Sequence, residues 1–493
     1  MIVAPQFFQP RAPHDDLLLA ADDVAAGRFL HLMSEWQARD EAKCVRIPAF
    51  WRNKTMSLGR FMGSVAASLL LGAALTGCSG AGGADSAAQS SQPTASAGAA
   101  RVPSGTDVVP FSIHVPDAAL ADLKERLART RLPDTIEGTG WTYGTELAYL
   151  KELITYWREK FDWREQERRL NAFEQFKTNI DGIDVHFVHR KSAQPGALPL
   201  LITHGWPGSF VEFTKIIDPL TNPTAHGGRA EDAFNVVAPS IPGYGFSSAP
   251  RETGYGPQRM ADVFAKLMAR LGYTRYGAQG GDWGSIISRS LAIQDASHVA
   301  GLHLNFCFGG PPPGAANAID ALPPAEAQKV RSRLFFAGEE QGYSGIQGTK
   351  PQTLGYALND SPAGLAAWIV EKFRSWCDCD GNVEKKFTRD ELLTNITLYW
   401  LTQTATSSAR LYYEARHAGQ PDTRRVEVPS GCAIFPKELT YAPRVWLEPR
   451  MNLVHWTEMP RGGHFAALEE PALLADDIRL FFRPLRSKSQ SGN

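Results

Sequence analysis

The segment Gly280-Gly281-Asp282-Trp283-Gly284 constrains this chain more than any other. It stands between a short strand-like stretch, Tyr273 to Ala278, and a helical one, Ser285 to Ala292. Small residues two before and two after a central side chain are what a sharp, strained strand-to-helix turn requires, and such a turn lifts the central side chain above a sheet. The pattern is usually built around serine. Here the centre is Asp282, a carboxylate able to attack an electrophilic carbon and form an alkyl ester, so the serine of acyl transfer is missing. Read without its neighbours, the same aspartate is a plain helix N-cap.

The flanking chain favours the turn. Val185 to Val188, Leu198 to Thr203, Phe234 to Ala238 and Val299 to Phe306 read as strands, and Phe210 to Leu220 and Gln258 to Leu271 as helices. Such alternation predicts an α/β fold with a mostly parallel sheet covered on both faces. Pro311 to about Arg425 breaks the alternation with helix-compatible stretches such as Pro324 to Phe336 and Pro362 to Trp376, which predicts a helical lid insertion. The core pattern resumes at Val426 to Phe435 and Leu453 to Glu458 and ends in a helix from Pro471 to Phe482. A helical N-terminal lead precedes the core. Leu120, Leu123 and Leu127 fall at helical spacing behind Asp117, a candidate N-cap, and further helices are expected near Thr145 to Lys160 and Trp163 to Phe173.

Two more motifs fit a hydrolytic site. His204-Gly205-Trp206-Pro207-Gly208-Ser209 follows the strand Leu198 to Thr203, where this kind of turn supplies a backbone N–H to an oxyanion hole; the partner N–H is expected from Trp283. Gly462-Gly463-His464-Phe465 lies late in the chain, in the order nucleophile, acid, histidine, and a neutral imidazole takes a proton from water near pH 7. The acid should follow a strand between the two. Glu438 suits, but Glu427, Glu448 and Glu458 compete, and spacing does not choose among them.

Composition removes other classes. The 493 residues carry a formal net charge of −1, which gives no electrostatic footprint for nucleic acid. No zinc-type Cys/His spacing and no phosphate-binding GxxxxGK[ST] occurs. Six cysteines are too few for a disulfide scaffold at this length, and Cys377 and Cys379 form a CxC pair with no second cluster; free thiols are the expectation.

The first hundred residues read differently. Phe61 to Leu75 is a fifteen-residue apolar and small-residue run behind Arg60, shorter than the roughly 20 residues of a spanning helix and right for a secretory signal. Leu75-Thr76-Gly77-Cys78 resembles a bacterial lipoprotein processing site, with Cys78 as the lipidated first mature residue. Ser79 to Ala100 has almost no large apolar side chain and reads as a disordered tether. Met56 is a candidate true initiator, which would make residues 1–55 an over-extended start; a cytoplasmic leader is the alternative.

From about Val109 onward the chain resembles the microsomal-type epoxide hydrolases, including their N-terminal domain. The resemblance rests on PFSIHVPDAALADLKERLARTRLPD, HGWPGSFVEF, PSIPGYGFS, GGDWG, KPQTLGYALNDSPAGLAAWIVEKF, LLTNITLYWLT and RGGHFAALEEP taken together. It implies an α/β-hydrolase fold and a triad of Asp282, His464 and Glu438, the last matching the family position inside FPKEL. It implies two lid tyrosines that donate to the epoxide oxygen, Tyr343 and Tyr412, with Tyr413 adjacent to the second. It implies that the amides of Trp206 and Trp283 hold the oxyanion, that an epoxide and water are the only partners needed, that the chemistry requires no metal or organic cofactor, and that the product is a vicinal diol. The abundance of Trp, Phe and Leu in the lid points to an apolar or aromatic epoxide. A haloalkane dehalogenase shares the aspartate and the Trp that follows it, and a non-catalytic surface binding protein on the same fold is a further alternative. The expected organisation is a leader at 1–55, a lipoprotein-like signal at 56–78, a tether at 79–106, the lead at 107–180, core at 181–310, lid at 311–425 and core again at 426–493. A lipid anchor at Cys78 would place the body at a bacterial cell envelope. Nothing in the sequence specifies an oligomeric state.

Overall fold

The structure, a computed structural model, describes residues 107–489 apart from 313, 316, 420 and 421. The apolar run Phe61 to Leu75, Cys44, Cys78 and the tether lie outside the described residues. Nine strands form one sheet: β1 (Val108–Phe111), β2 (Gln175–Ile180), β3 (Ile183–Arg190), β4 (Leu198–Thr203), β5 (Phe234–Pro239), β6 (Tyr276–Gly280), β7 (Val299–Leu304), β8 (Val426–Ile434) and β9 (Met451–Glu458). Their spatial order is β1-β2-β3-β5-β4-β6-β7-β8-β9. The first four strands in that order pair antiparallel, and every pair from β5·β4 to β8·β9 is parallel.

Residue chemistry explains the difference. The strands β4 (LPLLIT) and β5 (FNVVAP) are apolar almost throughout and buried on both faces, as central parallel strands must be. The strand β2 (QFKTNI) is mixed and joins β3 through Asp181-Gly182, both at positive φ (52° and 82°), the backbone that a two-residue hairpin turn needs. Neither β1 nor β2 is visible in the local pattern of apolar residues, because both are short and their partners lie far away or in a polar hairpin.

Helices of eight residues or more are α1 (Asp117–Ala128), α2 (Leu147–Glu159), α3 (Trp163–Leu170), α4 (Pro257–Arg270), α5 (Trp283–Gln294), α6 (Pro324–Glu340), α7 (Pro351–Asp360), α8 (Pro362–Trp376), α9 (Arg389–Thr402), α10 (Ala405–His417) and α11 (Pro471–Phe482). The five from α6 to α10 sit between β7 and β8 in sequence, as the broken alternation implied. The last helix, α11, and the turn after it approach β6, β7 and β8 closely: a Cβ on Gly277, Gly301 or Gly431 would fall within 2.8 Å of Phe482, Leu485 or Phe481 in turn. The lead helices brace the inserted ones. Tyr156 donates to Asp390 (2.9 Å), Thr145 donates to the Ala367 carbonyl (2.7 Å) and Arg389 reaches Glu152 (3.1 Å). Their buried faces, Leu123, Leu127, Leu153 and Trp157 among them, join the same core as the sheet.

Three expectations need correction. Asp117 is not an N-cap: Pro116 holds that place without a side-chain cap bond, and the Asp117 carboxylate pairs instead with Arg164. The stretch Phe210 to Leu220 is not one helix but a 3-10 turn, Phe210–Lys215, followed by Ile217–Thr221. Pro219 has no N–H to give the Lys215 carbonyl, so a continuous α-helix cannot close there. The cysteines of the described part are not free thiols. Cys307, three residues past the end of β7, forms a disulfide with Cys432 on the adjacent β8, with Cα atoms 6.1 Å apart, and Cys377 pairs with Cys379 where the chain turns after α8.

Candidate active site

The turn between β6 and α5 is built as its glycines demand. Asp282 takes φ 50° and ψ −129°, a conformation that costs a non-glycine residue about 1–3 kcal/mol. A Cβ on Gly280 would lie 2.2 Å from the Gly284 carbonyl oxygen, and one on Gly284 would lie 1.9 Å from the Thr203 carbonyl oxygen. Backbone cannot give way as a side chain can, so both positions are closed to anything larger. The strain is held by the burial of β6 and of much of α5.

Around Asp282 the sheet gathers the other motifs. The loop after β4 brings the Trp206 N–H to Asp282 Oδ1 at 2.8 Å. Trp283 opens α5, where the first N–H groups have no intrahelical acceptor. The loop after β9 places His464 Nε2 3.3 Å from Asp282 Oδ2, and the His464 Nδ1 side meets Glu438 Oε1 at 2.5 Å. Both His464 and Glu438 are buried. The competing carboxylates are engaged elsewhere: Glu427 with Arg425, Glu448 with Arg444 and Glu458 with Lys329. Burial alone would lower the His464 pKa, but the charges of Glu438 and Asp282, and the hydrogen bonds to them, outweigh it and hold the imidazole well above its ordinary value. The resting imidazole is therefore protonated between two carboxylates.

The inserted helices close the site with aromatic rings. Tyr343, on the short helix Gly342–Gln347, stacks on Trp206 (4.9 Å, 10°). Tyr412, on α10, meets Trp283 edge-on (4.7 Å, 87°) and lies 5.7 Å from Tyr343, ring to ring. Burial, together with the Asp282 charge, pushes both phenols up, so both remain protonated donors, and the polar neighbour of the Tyr412 hydroxyl is the hydroxyl of Tyr343. Tyr413 turns away and stacks on His417 (4.0 Å, 23°).

The sequence reading missed Trp376, Lys372 and Glu340. The Trp376 ring lies 5.1 Å from the His464 ring and its carbonyl accepts the His464 N–H at 3.0 Å. Lys372 is buried, bonded to Glu340 at 3.0 Å, with its ammonium 5.2 Å from the centre of the Tyr343 ring. The available signal was a lysine and a tryptophan four residues apart on the face of α8 that also carries Leu365 and Ile369. Among the described residues no group of three or more His, Cys, Asp or Glu side chains is arranged to hold a metal.

A mostly parallel sheet, a strained elbow and a histidine–carboxylate pair over it define an α/β hydrolase whose elbow carries an aspartate. Comparison with known proteins agrees: residues 199–430 match the family described as alpha/beta hydrolase fold, and residues 108–213 match Epoxide hydrolase N terminus. A putative epoxide hydrolase of Stigmatella aurantiaca is 48% identical over 77% of this chain and 86% of its own length. Epoxide hydrolase 1 of Sus scrofa is 44% identical over 76% and 88%. The crystal structure of juvenile hormone epoxide hydrolase from Bombyx mori superposes with a TM-score of 0.72 at 35% identity, covering 78% of this chain and 95% of that one. The chain belongs to the epoxide hydrolase family and is an enzyme of that class.

Proposed function

We propose that this enzyme opens an apolar or aromatic epoxide through an ester on Asp282. The observation that carries the reading is the division of labour between the two Asp282 oxygens: Oδ1 is tied to the Trp206 amide, while Oδ2 faces His464 Nε2 at 3.3 Å. In the first half-reaction Oδ2 attacks a ring carbon, the ring C–O bond breaks, and the developing alkoxide takes a proton from Tyr343 or Tyr412. Forming the ester removes the Asp282 charge, one of the causes that raise His464, so the imidazolium gives its proton to the tyrosinate and is then free to act as base. In the second half-reaction water attacks the ester carbonyl carbon and gives a proton to His464, which Glu438 orients, while the amides of Trp206 and Trp283 hold the oxyanion. Collapse breaks the ester C–O bond. The leaving diol oxygen takes a proton from His464, and the proton left on the Asp282 carboxyl passes back to His464, which restores the imidazolium and the charged nucleophile. The rings of Trp206, Trp283, Phe306, Tyr343, Trp376 and Tyr412 around these atoms support an apolar substrate.

In a single turnover in heavy-oxygen water the first diol should carry an ordinary oxygen from Asp282, and Asp282→Ala should form no diol. Solvent oxygen in that first diol would overturn the ester. We read 107–180 as the lead, 311–425 as the lid, and 181–310 with 426–493 as the core. We also propose that residues 56–78 act as an export signal, 79–106 as a tether and lipidated Cys78 as an anchor. Among the described residues no helix is long and apolar enough to cross a membrane.

A further inference from the structure

The segment that delivers the Trp206 amide also carries a glutamate for which the steps above have no use. Glu212 lies in the 3-10 turn Phe210–Lys215 and folds back over Gly208, so that a Cβ on Gly208 would sit 1.2 Å from Glu212 Oε1. The carboxyl therefore fills the place of a side chain at 208. Three residues further back, a Cβ on Gly205 would sit 2.1 Å from Asp282 Oδ1, so one short loop is pressed against the nucleophile at one end and against Glu212 at the other. The lid fixes that loop: Asn395 Nδ2 donates to the Pro207 carbonyl (2.8 Å) and the Tyr399 hydroxyl donates to the Gly208 carbonyl (2.7 Å).

Glu212 is not occupied by the protein. Among the described residues no side chain or backbone group donates to its carboxyl, and the charges that act on it are those of His464 and Asp282. The nearby Lys215 is paired with Glu391 at 2.6 Å. The residue keeps intermediate accessibility, as Asp282 does. Desolvation pushes its carboxyl up to about 8, with His464 opposing and Asp282 adding, so in neutral solution it is an uncharged group that offers a carbonyl acceptor without repelling the nucleophile.

We propose that Glu212 is a positioning residue for the second half-reaction: its carboxyl accepts a hydrogen bond from the water that His464 deprotonates. The inference rests on the ester mechanism proposed above. Water's oxygen bonds to the Asp282 ester carbon, one O–H breaks with its proton going to His464 Nε2, and the other O–H stays intact on Glu212. The first half-reaction involves no water and does not need Glu212.

The test separates the two half-reactions in the full-length enzyme with styrene oxide as probe, following alkylation by rapid quench and the ester by intact mass. Glu212→Leu, of similar volume without an acceptor, should alkylate Asp282 within about threefold of wild type and hydrolyse the ester about 10²-fold more slowly. Glu212→Gln keeps a carbonyl acceptor and should hydrolyse it within about tenfold of wild type. Should the leucine variant not fold, Glu212→Asp withdraws the oxygens by one carbon and should show the same split, with ester accumulating. Equal losses in both half-reactions, or unchanged ester hydrolysis in the leucine or aspartate variant, would overturn the assignment. His464→Gln is the control: ester trapped there but not in the Glu212 variants defeats this inference alone, while no ester in any variant defeats the mechanism with it.

Discussion

Tyr343 and Tyr412 differ from ordinary buried phenols in what surrounds their hydroxyls. Each is held protonated by burial and by the Asp282 charge, and the polar neighbour of each hydroxyl is the other. A donor that meets only another phenol in the ground state but a charged alkoxide later contributes to the transition state more than to binding. Tyr343→Phe and Tyr412→Phe should each slow Asp282 alkylation by about 10²-fold or less, with little change in substrate affinity, and the double variant should lose more than either. Stopped-flow alkylation rates check this, and unchanged rates in all three would return both rings to packing. Tyr413→Phe should be neutral, because its ring stacks on His417 outside the site. At this scale the sequence was legible where chemistry forces local spacing. The glycines beside Asp282 exclude a Cβ against backbone, so the motif announces its own geometry. The choice of Glu438 over Glu427, Glu448 and Glu458 was not legible from spacing, since a carboxylate's partner is fixed by where its strand ends, and each competitor has a surface arginine or lysine instead.

Whole elements were readable when their burial pattern is self-contained. The helices α8 and α11 run from Pro362 to Trp376 and from Pro471 to Phe482, the bounds expected from their leading prolines and apolar spacing. Strands β1 and β2 were not readable, since only pairing across the sheet makes a polar or four-residue segment a strand. A polar tie between elements escaped in the same way. Asp477 on α11 accepts from His303 on β7 (2.9 Å) and from His455 and Thr457 on β9 (2.8 and 2.7 Å). Burial would raise its carboxyl, but these bonds outweigh burial and hold it well below the usual carboxylate range. A depressed folded pKa gives stability that is present above the unfolded value of 3.8 and is lost as pH falls from there toward the folded one. Asp477→Asn should therefore lower stability by about 1.5–3 kcal/mol at pH 7 and lose less than wild type on acidification below about pH 4. Urea midpoints at pH 7 and pH 3.5 measure both, and parallel acid losses in the two proteins would show that the tie carries no such linkage.

The molecule as a whole joins two kinds of sequence, and each argues for the same compartment. The four cysteines of the described part are all paired, Cys307 with Cys432 and Cys377 with Cys379, and disulfides persist where the environment is oxidising, as outside the bacterial cytoplasm. The reading of free thiols failed because neither pair has a spacing that announces it: one joins residues 125 apart, and the other depends on the turn after α8. The apolar run Phe61 to Leu75, followed by Leu75-Thr76-Gly77-Cys78 and a tether poor in large apolar side chains, is what export and lipid anchoring would require ahead of such a body. Acyl chains contribute roughly 0.8 kcal/mol per buried CH₂, and stable anchoring takes more than one chain, as a bacterial lipoprotein has. In a bacterial host the wild-type protein should fractionate with membranes and begin at a lipid-modified Cys78. Cys78→Ser should lose the lipid and the membrane retention while keeping epoxide turnover. Mass analysis of the mature protein before and after reduction should find both disulfides closed in the exported form. Wild type recovered from the cytosol with an unmodified Cys78 and reduced cysteines would defeat the anchoring and the compartment together, and would leave the chemistry at Asp282 as it stands.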